Sequence, residues 1–339
     1  MRTELGEILR AGRENRVFSA AAWSVGTADG VLDRGVLGTR WHDGPDAAED
    51  SLWDLASVTK PVVGLVIAAL ADRGVLGFDD PLTRHLPAYA GGDKAGITVR
   101  QLLTHTSGLP GGTPLYREHP TREALLEAIR TGPSRAEPGR RVEYSSQGFI
   151  LLGLIAESAG GRPLDELVEE FVAVPAGLTG TRFGPVDAAR AVATEDCPWR
   201  GHVVRGQVHD ENAVVLGGIC GHAGLFAPLP DVERLGRVLA GGAAPLLKPA
   251  THAEMIRCQT EGLRRGLAWQ GFDGPGSPVG ADLSPPAYGH TGFTGTSLWV
   301  EPDRGRYYVL LTNRVHPSRA TPGIEALRRV FHSAAVRLS

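Results

Sequence analysis

The sequence predicts an α/β protein of the α+β kind, with an antiparallel sheet drawn from both chain ends, flanked by helices, and a mostly helical subdomain between them. Three observations lead there. Strand-like patterning occupies Val17–Val25 and Val31–Leu37 near the start of the chain, separated by Gly and Asp turn signals. It returns at Thr296–Val300 and Tyr307–Thr312 near the end, and the stretch from Ser57 to about Gly184 carries helical periodicity instead. Strands at the two ends can bury their apolar faces together only by sharing one sheet, which leaves the middle as an insert. The chain is therefore read as a single domain over 1–339, with a sheet subdomain of about 1–56 and 287–339 and a helical subdomain of about 57–286.

Each element has a local reason. A short helix precedes the first strand. The run Val62-Val63-Gly64-Leu65-Val66-Ile67-Ala68-Ala69-Leu70 makes Pro61–Arg73 a helix apolar all round, and such helices are buried. Thr98 is placed to cap a helix over Val99–Thr104, and Arg122–Arg130 follows. Gln147–Ala159 ends at Gly160-Gly161, and Asp231–Leu239 and Ile324–Val336 complete the helices. Gly and Pro cluster between Gly271 and Pro286, which reads as a long surface loop bordering the rest.

Composition excludes several classes of function. With 42% hydrophobic and 22% charged residues, the 339-residue chain has ordinary globular composition. The 35 basic and 38 acidic residues give a net charge of -3, without a basic run able to track a phosphate backbone, so nucleic acid is not an expected partner. The longest apolar runs fall well short of the roughly 18 to 20 residues of a membrane span. The N-terminal stretch has acidic residues among its apolar ones, unlike a signal peptide, and a cytoplasmic location is expected. Cys197, Cys220 and Cys258 are widely spaced, fitting neither a disulfide framework nor a Cys-x-x-Cys metal site, and read as reduced structural thiols.

The chemistry-bearing pattern is Ser57-Val58-Thr59-Lys60. Three residues apart at the start of a helix, Ser57 and Lys60 share one face, joining a hydroxyl nucleophile to an amine base near the positive end of the helix dipole. Two further motifs follow, Tyr144-Ser145-Ser146 before a helix and His290-Thr291-Gly292 before a strand. In this order the three resemble the signatures of the serine β-lactamase and penicillin-binding-protein superfamily, in its class C β-lactamase and esterase branch. The segments from Val99 to Pro110, from Gly217 to Phe226 and from Leu311 to Arg314 resemble family segments in family order, so the likeness covers nearly the whole chain.

The resemblance implies a β-lactamase-like fold and a serine hydrolase forming an acyl-enzyme on Ser57, with no metal or organic cofactor. Lys60 and Tyr144 would share proton transfer, Tyr144 bonded between the nucleophile, Lys60 and the leaving group. To act as a base Lys60 must spend time neutral, which burial and nearby cations or donors favour. The N–H groups of Ser57 and Phe293 would form the oxyanion hole, and Ser146, His290, Thr291, Gly292 and His222 would contact substrate. Two departures refine this. Ser146 stands where β-lactamases and carboxypeptidases usually carry Asn, and His290 stands where many carry a carboxylate-binding Lys. Both favour esterase-type hydrolysis of a small-molecule ester or activated amide. The alternatives are an acyltransferase of small-molecule biosynthesis, a weak β-lactamase or D-amino-acid peptidase, and a non-catalytic scaffold; oligomeric state stays open.

Remaining polar residues have structural readings. Asp54 is expected to brace the turn before Ser57. His105 is expected to make local backbone bonds, and His222 weighs loop bracing against substrate contact. His209, Asp210 and Glu211 suggest a metal by residue type, but adjacent ligands on one short segment cannot all face one ion. Trp199, Trp269 and Trp299 are candidates for an acyl pocket, with the core as the default.

Overall fold

The strand Arg306–Thr312 buries both of its faces: Tyr307, Val309 and Leu311 join one apolar cluster, while Tyr308 and Leu310 join another. Side chains alternate across a strand, so a strand buried on both faces must be central and covered on each side. In the computed structural model, which describes residues 3–338, this strand is central to a six-stranded antiparallel sheet. The strands are β1 (Ala20–Thr27), β2 (Val31–Gly38), β3 (Gln270–Gly271), β4 (Tyr288–Thr291), β5 (Ser297–Glu301) and β6 (Arg306–Thr312), in the order β2-β1-β6-β5-β4-β3. The pairing of β1 with β6, Ala21 opposite Thr312 through Thr27 opposite Arg306, joins the two chain ends as expected.

One face of the sheet is covered by α1 (Glu4–Glu14), capped by Thr3, and by the C-terminal helix Ile324–Val336, which packs against it. The other face meets the helix Leu229–Ala240 and, beyond it, the helical region built around Thr59–Asp72. That helix is buried from Thr59 through Leu70, as its all-round apolar sequence requires. Thr98 forms a full capping box with Gln101, and Gly161 ends Ser146–Gly160 in the left-handed conformation.

The structure corrects the subdomain boundaries. The helix Leu229–Ala240 packs on β1 and β6, and β3 hydrogen-bonds to β4, so both belong with the sheet although they lie inside 57–286. A small sheet, Trp53–Asp54 and Arg182–Phe183 on either side of Leu225–Ala227, also crosses the expected boundary at residue 56. These strands are two or three residues long, too short for periodicity to register. No helix among the described residues is long and apolar enough to cross a membrane.

The tight turn Cys220–Ala223, closed by a backbone bridge, sits directly on the helix Ser146–Gly160. A Cβ at Gly221 would overlap the Phe149 carbonyl oxygen and approach the Gly153 nitrogen to 2.8 Å, both helix backbone. Gly221→Ala is expected to lower stability by about 1–3 kcal/mol through overpacking. Urea denaturation checks this; an unchanged midpoint would mean that the turn and helix are not in close contact.

Candidate active site

Ser57 lies in a short 3-10 turn, Ala56–Val58, that leads directly into the buried helix Thr59–Asp72. The residue before it, Ala56, has φ of 47°, a left-handed conformation costly for a residue with a Cβ. Asp54 holds this conformation: its buried carboxylate accepts from the Ala56 N–H at 2.8 Å and the His209 N–H at 2.7 Å. Burial raises the Asp54 pKa against those two bonds. The brace expected of Asp54 is thus a pair of backbone bonds, one within the turn and one reaching 155 residues along the chain.

Lys60 is wholly buried, and its Nζ donates to Ser57 Oγ and to the His222 carbonyl, each at 3.0 Å. Nζ also lies 4.9 Å from the centre of the Tyr144 ring and 5.8 Å from that of Phe149. Tyr144 departs from expectation: its phenol oxygen makes no hydrogen bond to the protein among the described residues, and its ring rather than its oxygen faces Lys60. The ring rests on His105 at 4.6 Å, and 40% of the residue is exposed to the cleft. His105 makes one local bond, its N–H to the Leu102 carbonyl, but its side chain bonds at long range, Nδ1 accepting from the Ser145 N–H forty residues away. His105 therefore ties the Tyr144 segment to the loop after the helix Val99–Leu103. Burial and the Lys60 charge keep it neutral.

The third motif occupies the end of β4 and the turn beyond. His290 is buried, and its Nδ1 donates to the Thr291 carbonyl at 2.8 Å. Burial, with the Lys60 charge, pushes its pKa down to about 3, so the ring is neutral with Nε2 as an acceptor. Gly292 lies against the turn that carries Ser57, where a Cβ would come within 2.6 Å of the Leu55 carbonyl oxygen. The N–H groups of Phe293 and Ser57 have no acceptor among the described residues.

Ser57, Tyr144, His290, Thr291, Gly292 and Phe293 line one open cleft of ≈ 380 Å³. Sequence reasoning missed the rest of its wall: Arg265, Gln270, Arg314 and the helix residues Ile324, Glu325 and Arg328. Arg314 stacks on Phe293 and donates Nε to its carbonyl at 2.7 Å. Arg265 lies 3.6 Å from Asp273. Arg328 is buried with no acceptor for Nε, and burial beside Arg314 pulls its pKa down to about 10. An arginine on an amphipathic helix reads as surface, so no sequence signal marked Arg328.

Ser146 is the first residue of its helix, half-buried and outside the cleft lining, while its neighbour Ser145 caps the helix. His222 is a correction, since its imidazole is enclosed, bonded to Asp210 at 2.8 Å and facing the Cys220 sulfur at 3.0 Å. Only its backbone oxygen reaches the site. The side chains of His209, Asp210 and Glu211 diverge to Glu195, His222 and Arg319 respectively. The buried carboxylates of Glu195 and Glu211, close to Cys197, are both engaged by the Arg319 guanidinium. Trp269 and Trp299 are core residues, and Trp199 is exposed, edge-on to Tyr116.

Comparison with known proteins shows the family and the fold. The family model described as Beta-lactamase matches residues 6–331. A "Putative D-alanyl-D-alanine carboxypeptidase" of Escherichia coli (strain K12) is 32% identical, the match covering 91% of this chain and 78% of that protein. Two solved structures share the fold. "EstCE1, a hydrolase with promiscuous acyltransferase activity" superposes with a TM-score of 0.79 at 21% identity, covering 96% of this chain and 97% of the other. A class C beta lactamase from Rhodobacter sphaeroides gives 0.77 at 20% identity, covering 97% of both chains.

Proposed function

Because the chain belongs to the β-lactamase family of serine hydrolases, we propose that it hydrolyses a small-molecule ester or activated amide through an acyl-enzyme on Ser57. The observation that carries this reading is the 3.0 Å pair of Ser57 Oγ and the buried Lys60 Nζ at an open cleft, beside two unpartnered N–H donors. Ser57 Oγ attacks the substrate carbonyl carbon while its proton passes to Lys60, directly or through the Tyr144 phenol. The carbonyl oxygen gains its negative charge between the Ser57 and Phe293 N–H groups, each donor being worth roughly 3 to 4 kcal/mol in sites of this kind. The leaving alcohol or amine takes the proton as its bond to carbon breaks. Water, deprotonated by the same groups, then releases the acid and restores Ser57.

The neutral His290 favours an ester substrate over one held by a charge at that position. His290→Lys is expected to raise turnover of carboxylate-bearing β-lactams relative to neutral esters, measured as the ratio of kcat/KM values; an unchanged ratio removes His290 from specificity. A second reading, a D-amino-acid peptidase, is favoured by Arg265 and Arg328 on the cleft wall, which suit a substrate carboxylate, and by the name of the E. coli relative. A cytoplasmic setting suits the three free cysteines and the ester reading.

Intact-protein mass spectrometry of wild type and Ser57→Ala, after brief exposure to a p-nitrophenyl ester, a β-lactam and a D-Ala-D-Ala peptide, separates these readings. A wild-type-only adduct or turnover with the ester supports the main one. Reaction with the peptide alone supports the second. Partitioning to an added alcohol or amine marks an acyltransferase. Absence of any adduct, even with a fluorophosphonate, leaves a non-catalytic scaffold.

A further inference from the structure

The buried Lys60 Nζ has two protein acceptors, and one is the backbone carbonyl of His222, 162 residues away. What fixes this carbonyl is the imidazole of the same residue. Its Nε2 bonds to Asp210 Oδ1 at 2.8 Å, and its Nδ1 faces the Cys220 sulfur at 3.0 Å. The turn Cys220–Ala223 is closed by a backbone bridge and seated on the helix that follows Tyr144, so the carbonyl has little freedom. Asp210 is anchored in turn, its Oδ1 accepting from the Ala213 N–H as the cap of the helix Glu211–Val215.

We infer that His222 and Asp210 form a clamp that positions Lys60 for proton transfer with Ser57, making both of them positioning residues for acylation. This rests on the reading of Ser57 as the nucleophile. Lys60 must exchange a proton with Ser57 across 3.0 Å, and its side chain, long and flexible, reaches that geometry only if a second acceptor pins Nζ. The His222 carbonyl supplies that acceptor, and the Asp210 carboxylate behind it holds the imidazole, and with it the residue's backbone, in place. The pair is charged: burial opposes the imidazolium, but Asp210 and Cys220 carry His222 up to about 10, and Asp210 is held low by His222. Loss of the clamp would leave Lys60 present but mobile.

The test measures the rate and the extent of Ser57 labelling by a fluorophosphonate, with kcat and KM for a p-nitrophenyl ester. The proteins are wild type, His222→Ala, His222→Gln and Asp210→Asn. Asn still caps the helix and removes only the charge, whereas Gln can still donate to Asp210. His222→Ala and Asp210→Asn are expected to label to the wild-type extent but roughly 10-fold or more slowly, with kcat reduced and KM nearly unchanged. His222→Gln recovers much of the rate. A merely structural role would lower the labelled fraction and leave the rate of that fraction at the wild-type value, which overturns the clamp. Should His222→Ala fail to fold, Asp210→Asn decides alone, and wild-type labelling kinetics in that variant refute the proposal. Wild type that labels on no residue overturns the Ser57 reading itself, a result distinct from normal labelling in the variants.

Discussion

Ser57→Ala is expected to abolish the acyl-enzyme and reduce kcat by roughly 10⁴-fold or more, the scale on which loss of a nucleophile is felt in serine hydrolases. The fold should survive. Ser57 is half-buried in a 3-10 turn whose conformation is held by Asp54 through the Ala56 N–H, not by the serine hydroxyl. Its Oγ takes part in one hydrogen bond, with Lys60, and Lys60 keeps the His222 carbonyl when that bond is lost. The stability cost is therefore about 1 kcal/mol. The adduct is read by intact-protein mass spectrometry and the fold by thermal unfolding. A variant that still accumulates acyl-protein, with unaltered stability, would place the nucleophile elsewhere in the cleft.

Lys60 is the second large effect, and here activity and stability have to be separated. Lys60→Ala is expected to slow acylation by at least ~100-fold, because the proton of Ser57 loses its nearest acceptor. The same change empties a wholly buried volume and leaves the His222 carbonyl without its donor, at a cost of roughly 2–4 kcal/mol. Lys60→Met keeps most of the volume and removes the amine, so it should slow acylation equally while costing less stability. Stopped-flow acylation with a p-nitrophenyl ester, beside urea denaturation, distinguishes the two. Near-normal acylation in the Met variant would remove Lys60 from proton transfer and leave Tyr144 to act alone.

Much of the site was legible because its signals are local. Ser57 and Lys60 are three residues apart, and a helical turn brings them together whatever surrounds it. The sheet could be assembled from its ends because β1 and β6 carry enough β-branched and aromatic residues to mark them. The terminal helix Ile324–Val336 was legible to the residue from its periodicity. The two- and three-residue strands that hold the Ser57 turn in place offer no period to read.

What the tertiary structure alone decided are the partners. The second acceptor for Lys60 is a backbone oxygen, and every residue has one, so no choice of side chain at position 222 announces it. The histidine at that position reads either as a loop brace or as a substrate contact, and packing turns it inward to Asp210. Tyr144 was identified by its motif, but which of its parts faces Lys60 depends on packing against His105, 39 residues earlier in the chain. Arg265 reaches the cleft from a segment with no periodic signal and Arg328 from an amphipathic helix, because burial of a charge depends on what lies across from it in space. The sequence by itself determined the fold class and the pairing of Ser57 with Lys60 on one helical face, since these follow from periodicity and short-range spacing. The orientation of the lysine, the neutrality of His290 and the cationic wall of the cleft came only with the tertiary structure, which brings together groups from one end of the chain to the other.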